Sequence, residues 1–134
     1  MSQINSKSKL CKGEKVMPHV VLEQAKVTTE LFQMIEPLTL KIDTGILKLG
    51  EKYINATGNI ILIDSLAIEN SKNQSFFIQL SQKNTSLTVR LLPQTDPEKT
   101  PGVKVLMARV AKQIKDSSAM IRYGKTTLQD YLLL

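Results

Sequence analysis

A chain of 134 residues, 42% hydrophobic and 22% charged, fits one domain around a single core and needs neither metal nor disulfides to fold. Cys11 is the sole cysteine and His19 the sole histidine, which excludes an internal disulfide and leaves a Cys/His zinc site short of ligands. The net charge of +6 suits an acidic partner and equally suits a solvated surface that keeps the protein in solution.

Residues 1–17 are rich in Ser, Lys, Gln and Asn and read as a disordered basic tail. Residues 18–134 read as a single α+β domain. Pro18–Glu36 predicts a helix. Pro18 suits a first turn, Val20, Gln24, Val27, Leu31 and Met34 form one row, and Pro37 stops the run. The β-branched Val20, Val21, Val27, Thr28 and Thr29 leave a strand open for part of it. Leu38, Leu40 and Ile42 then alternate with Thr39, Lys41 and Asp43, the pattern of a half-buried strand. Thr44-Gly45 offers a turn, Ile46–Leu49 pairs back across it, and Gly50 ends that run. Lys52–Ala56 makes a further short strand before Gly58-Asn59 turns the chain.

Three stronger strands follow, Ile60–Ile68, Ser75–Ser81 and Ser86–Leu92. Both sides of Ile60–Ile68 are apolar, as in a central strand, and Asp64 interrupts it; a buried Asp64 would need a partner. Phe76 and Phe77 point to opposite faces of the second strand. The links Asn70–Gln74 and Lys83-Asn84-Thr85 are short and polar, which favours antiparallel hairpins over parallel crossovers. After the exposed loop Pro93–Pro101, apolar Val103, Leu106, Met107, Val110, Ala111 and Ile114 recur at helical spacing, so about 101–117 is an amphipathic helix. Ala119–Tyr123 predicts another strand, and Thr127–Leu134 a short closing element too apolar for a solvated tail. The sum is an α+β fold. An antiparallel meander of about five to six strands is packed by an N-terminal helix and by the helix near 101–117, with a small β-barrel carrying a C-terminal helix as the alternative.

Motifs for chemistry are thin. Residues 119–126 fit a relaxed phosphate-loop pattern, in which Lys125 would meet phosphate and Thr126 magnesium. Met120–Tyr123 is bulky and β-prone, the upstream strands form hairpins, and only eight residues follow Thr126. The match is therefore coincidental, with Gly124 serving a turn. No Cys–His pair, metal-ligand cluster or dinucleotide fingerprint stands out, so neither catalytic residues nor a cofactor are expected. The triplets at Asn55, Asn73 and Asn84 read as turn chemistry. No signal peptide is recognised at the start, and the longest apolar run, Ile60–Ile63, is far below the ~20 residues of a membrane span. The expected setting is intracellular, cytoplasmic or, in a eukaryote, nuclear, without membrane insertion.

Charge is unevenly spread. Residues 18–69 carry four lysines against seven carboxylates, whereas residues 70–134 carry ten Lys/Arg against four carboxylates. Two binding functions follow. The first is a non-enzymatic protein-interaction or assembly subunit, acting with a protein partner or as a homo-oligomer. It would use an open sheet face bearing Phe77, a sheet edge, or the apolar C-terminus with Tyr131, Leu132 and Leu134. The second is a DNA- or RNA-binding protein in which Lys83, Arg90, Lys104, Arg109, Lys112 and Lys115 neutralise phosphates. Six aromatic residues and no Trp give the second few stacking platforms. An enzyme with a pocket between sheet and helix is weakest, since no convergent polar groups are seen.

Overall fold

The structure, a computed structural model, describes residues 17–132; the predicted tail, apart from Met17, and Leu134 lie outside the described residues. Among the described residues, seven antiparallel strands form one sheet, curled into a half-barrel around a long helix. In chain order these are β1 (His19–Glu23), α1 (Thr29–Met34), β2 (Leu38–Ile42), β3 (Gly45–Ile54), β4 (Ile60–Glu69), β5 (Lys72–Lys83), β6 (Ser86–Leu91), α2 (Pro101–Asp116), β7 (Arg122–Thr126) and α3 (Gln129–Leu132). The sheet order is β2-β3-β4-β5-β6-β1-β7. Strands β2 to β6 are the expected meander and β7 is the expected strand after α2; β1, where a helix is predicted, brings the described strands to seven, above the predicted five to six.

The predicted helix over Pro18–Glu36 is replaced by β1 and the six-residue α1. Val20 and Leu22 alternate into the core while His19, Val21 and Glu23 face outward, the period of a strand. Gln24 then adopts a left-handed φ of 62° and turns the chain. Thr28 starts α1, its hydroxyl accepting from the Leu31 N–H at 3.0 Å. The predicted Lys52–Ala56 strand is the continuation of β3. Leu49 faces Ser65 and Lys52 faces Ile63, so Gly50 and Glu51 together oppose Asp64. Gly50 therefore marks a bulge rather than a strand end. That extra residue reverses side-chain parity: Leu47 and Leu49 point into the core, whereas Tyr53 beyond the bulge points out. Asp64, opposite the bulge, is exposed and needs no buried partner.

The turn after β4 is only Asn70-Ser71, both at positive φ, and β5 starts at Lys72. Lys72, Asn73 and Gln74 belong to β5 because they pair with Glu69, Ile68 and Ala67. The last strand lies three residues later than predicted, so Gly124 is inside β7 and not at a turn.

α2 matches its predicted span to within a residue. Its Val103, Leu106, Met107, Val110, Ala111 and Ile114 are buried against the concave face of the sheet, among Val20, Leu22, Leu47, Leu49, Ile61, Ile63, Phe76, Ile78, Leu80, Leu87, Val89 and Leu91. Burying each large apolar side chain is worth about 1.5–3 kcal/mol, so this interface dominates stability. The start of α2 is fixed from the sheet. The Glu69 carboxylate accepts from the Thr100 hydroxyl at 2.6 Å and the Gly102 N–H at 3.0 Å, placing an anion at the positive end of the helix dipole. α1 and its flanking segments close the opposite end of the half-barrel. Val27 N–H donates to Gln82 Oε1 at 2.9 Å, and Lys52 Nζ donates to the carbonyls of Gln33 and Ile35.

Candidate interaction surfaces

The meander alternates side chains between two faces, and one of them carries no helix among the described residues. α2 occupies the concave face, and α3 packs on α2. On the convex face, cross-strand pairing lines up Tyr53, Leu62, Gln79, Arg90 and His19 over β3, β4, β5, β6 and β1. Phe77 lies two residues from Gln79 on the same face and meets Tyr53 edge to face, with ring centroids 6.3 Å apart. Tyr53 is 52% exposed, an unusual amount for a large ring on a sheet. Phe76 goes the other way and is fully buried in the core.

Gln79 is the unusual member of that row. It is only 7% exposed, yet its side-chain amide makes no hydrogen bond among the described residues. Leu62 and Arg90 flank it on the neighbouring strands. A shielded amide without a partner costs about 1–3 kcal/mol, and buried polar groups are ordinarily bonded.

The residues predicted for binding are distributed over different sides of the molecule. Phe77 is half-buried on the convex face. Tyr131 and Leu132 are half-buried in α3 and pack against the core cluster; they do not meet Phe77. Leu134 lies outside the described residues. Among the basic candidates, Lys104, Arg109, Lys112 and Lys115 lie on α2, Lys112 exposed and the others half-buried. Arg90 is exposed on the convex face, across the sheet from α2, and Lys83 ends β5 beside the Asn84 turn. The six therefore do not form one surface. The ion pairs among the described residues are Lys72–Glu98, Lys99–Asp96 and Arg122–Glu23, and none of the six takes part.

Sequence reasoning missed Tyr53 and Gln79. Gly50 inside an alternating run was the available signal for Tyr53, since a bulge there exchanges the two faces. Gln79 had no signal, because its burial is set by neighbours on other strands.

Residues 119–126 do not form a phosphate loop. Arg122–Thr126 is an edge strand, and Thr126 donates its hydroxyl to the His19 carbonyl at 3.0 Å. A cleft of about 440 Å³ opens between α1 and the end of α2, floored by Ala25, Leu31, Ile114 and Ile121. Its charged lining is one cation, Lys26, and one carboxylate, Glu30. Near it, the Tyr123 phenol is held above its ordinary value of 10.0, by burial first and by the Asp116 charge second. Among the described residues no group of three or more His, Cys, Asp or Glu could hold a metal ion, and no helix is long and apolar enough to cross a membrane. Comparison with family models, with curated proteins and with solved structures yields no match.

Proposed function

We propose that this chain is a non-enzymatic protein-binding subunit whose partner docks on the convex face of the sheet. The observation that carries this reading is the shielded amide of Gln79, unpaired among the described residues, beside the Tyr53–Phe77 pair on a face that no described helix covers. The aromatic pair and Leu62 supply an apolar centre, and Lys48, Asp64 and Arg90 supply a mixed-charge rim, the composition of a protein interface. The partner implied has an apolar contact surface with a backbone or side-chain group that bonds Gln79.

The test uses two variants. Tyr53→Asp puts a charge in the apolar centre and should abolish capture of the partner, first isolated from nuclease-treated source lysate and then repeated with purified components. Gln79→Met keeps the volume and removes the amide; it should raise the stability of the free chain while weakening the complex. A complex unaffected by both variants sinks the proposal.

A second reading, nucleic-acid binding through α2, draws on the absence of ion pairs at Lys104, Arg109, Lys112 and Lys115 among the described residues. Reversing Lys112 and Lys115 to Glu should then abolish salt-sensitive DNA or RNA binding. Nuclease-resistant capture that survives the double reversal argues against it.

A further inference from the structure

Among the described residues the curled sheet does not close and has two edges, β2 and β7, and the chain treats them differently. β7 carries Arg122, Gly124 and Lys125, and its ladder to β1 is irregular between Val20 and Leu22. Charge, glycine and irregular register are the usual means of keeping an edge from pairing. β2 has none of this irregularity. Its register against β3 runs unbroken from Leu38–Leu49 to Ile42–Gly45, and Lys41 is its single charge.

The ladder also shows which backbone groups β2 leaves open. A two-residue turn, Asp43-Thr44, joins Ile42 to Gly45, and such a turn closes on a hydrogen-bonded pair. Ladder bonds then alternate, so Ile42, Leu40 and Leu38 bond β3, while Thr39 and Lys41 aim their N–H and C=O groups off the sheet. On the core side, Leu38, Leu40 and Ile42 stay half-exposed at this edge.

We infer that a second copy of this chain adds to β2, strand to strand and antiparallel, joining two seven-stranded sheets into one. The strand is its own complement. With Leu40 on the twofold axis, Thr39 of each copy faces the partner's Lys41, and Leu38 faces the partner's Ile42. The Thr39–Lys41 pairs are the hydrogen-bonded ones and contribute four backbone bonds. Leu40 meets its counterpart in the closer, non-bonded position. No like charges stand opposite each other, whereas centring on Lys41 would oppose two lysines. This goes beyond the convex-face reading, since it concerns a different surface and rests on the β2 ladder rather than on the Gln79 face. Five residues of edge fall short of a full-sized interface, so self-association should depend on concentration rather than be obligate.

Sedimentation velocity on the full chain over rising concentration should show a monomer passing to a dimer. Lys41→Pro removes an outward N–H and leaves the β3 ladder whole, a change that sheet edges accept; it should weaken dimerisation about tenfold or more. Leu40→Cys in a Cys11→Ser background supplies a test of register that does not depend on the proline variant folding. Under mild oxidation it should form a disulfide-linked dimer, since the twofold pair lies within disulfide reach, while Thr39→Cys in the same background should not. A chain that stays monomeric at every concentration overturns the inference, as does a dimer indifferent to Lys41→Pro or a Leu40→Cys variant that links no better than Thr39→Cys. Partner capture on the convex face should survive Lys41→Pro, so failure of one proposal is distinguishable from failure of the other.

Discussion

The two ends of the half-barrel are closed by different means. At the end where β4 turns into β5, backbone meets backbone. The Asn70 N–H donates to the Thr44 carbonyl at 2.8 Å, and the Glu69 carboxylate holds the start of α2. The loop before α2 is tied down there as well, through Gln74 to the Glu98 backbone and Thr95 to the Phe77 N–H. At the opposite end a six-residue helix and its linkers are held mainly by side-chain bonds from Gln82, Lys52 and Gln113, and the cleft remains beside them. A helix of that length has little stability of its own. The first end should therefore open only with the global fold, and the second, although Leu31 and Ile35 reach the core, should open at lower cost.

The strongest probe of this difference is Gly45. A Cβ there would sit 1.8 Å from the Ile68 carbonyl oxygen, a backbone atom that moves only if β3 and β4 part. Gly45→Ala should cost about 3 kcal/mol or more in urea unfolding, or prevent folding. Next comes Glu69→Ala, which strips the carboxylate from Thr100 and Gly102. Losing two bonds to a charged group at a helix start should cost about 2 kcal/mol, read as a lower midpoint for the whole domain. A loss confined to α2 amide exchange would mean that this end is not the lock described.

Thr28→Ala examines the other end. Removal of the α1 cap costs about 1 kcal/mol, and the two ends should report it differently. Amide exchange in α1 should quicken, while exchange in β4 and β5 and the global midpoint hardly change. If the midpoint falls by the full cost, the ends form one cooperative unit and the contrast between them fails.

The same contrast governs what could be read from the sequence. α2 was legible because its apolar positions, Val103 to Ile114, keep one period over about three turns, and the β4–β5–β6 hairpins because their partners are adjacent in the chain. β1 was not. Val20, Gln24, Val27 and Leu31 happen to share helical spacing, and the partners that make His19–Glu23 a strand, β6 and β7, are far along the chain. Phe77 was expected to face away from Phe76, and it does. Its neighbour Tyr53 depended on the parity reversal at Gly50, and the burial of Gln79 depended on residues from several strands. Local pattern thus recovered the helix and the hairpins, while the features that suggest a function arise from non-local pairing.

The smallest expected effect lies at the cleft end. Tyr123 pairs with Leu22 across β1 and β7, near Asp116 at the close of α2. Burial and the Asp116 charge raise its phenol above 10.0, so the folded chain favours the neutral ring more than the unfolded chain does. The sign follows by linkage. Below the unfolded value both states are protonated and the contribution is intact. As pH rises past it, the unfolded state ionises first, and stability falls until the folded ring ionises too. Urea midpoints measured for the wild type and Tyr123→Phe should therefore differ by a constant up to about pH 10 and diverge above it, with the wild type losing more. Because Lys ionisation affects both proteins alike, the difference isolates this ring. Curves that stay parallel through that window would show that the cleft end is already open where Tyr123 titrates, so that its phenol meets water in the folded chain as it does in the unfolded one.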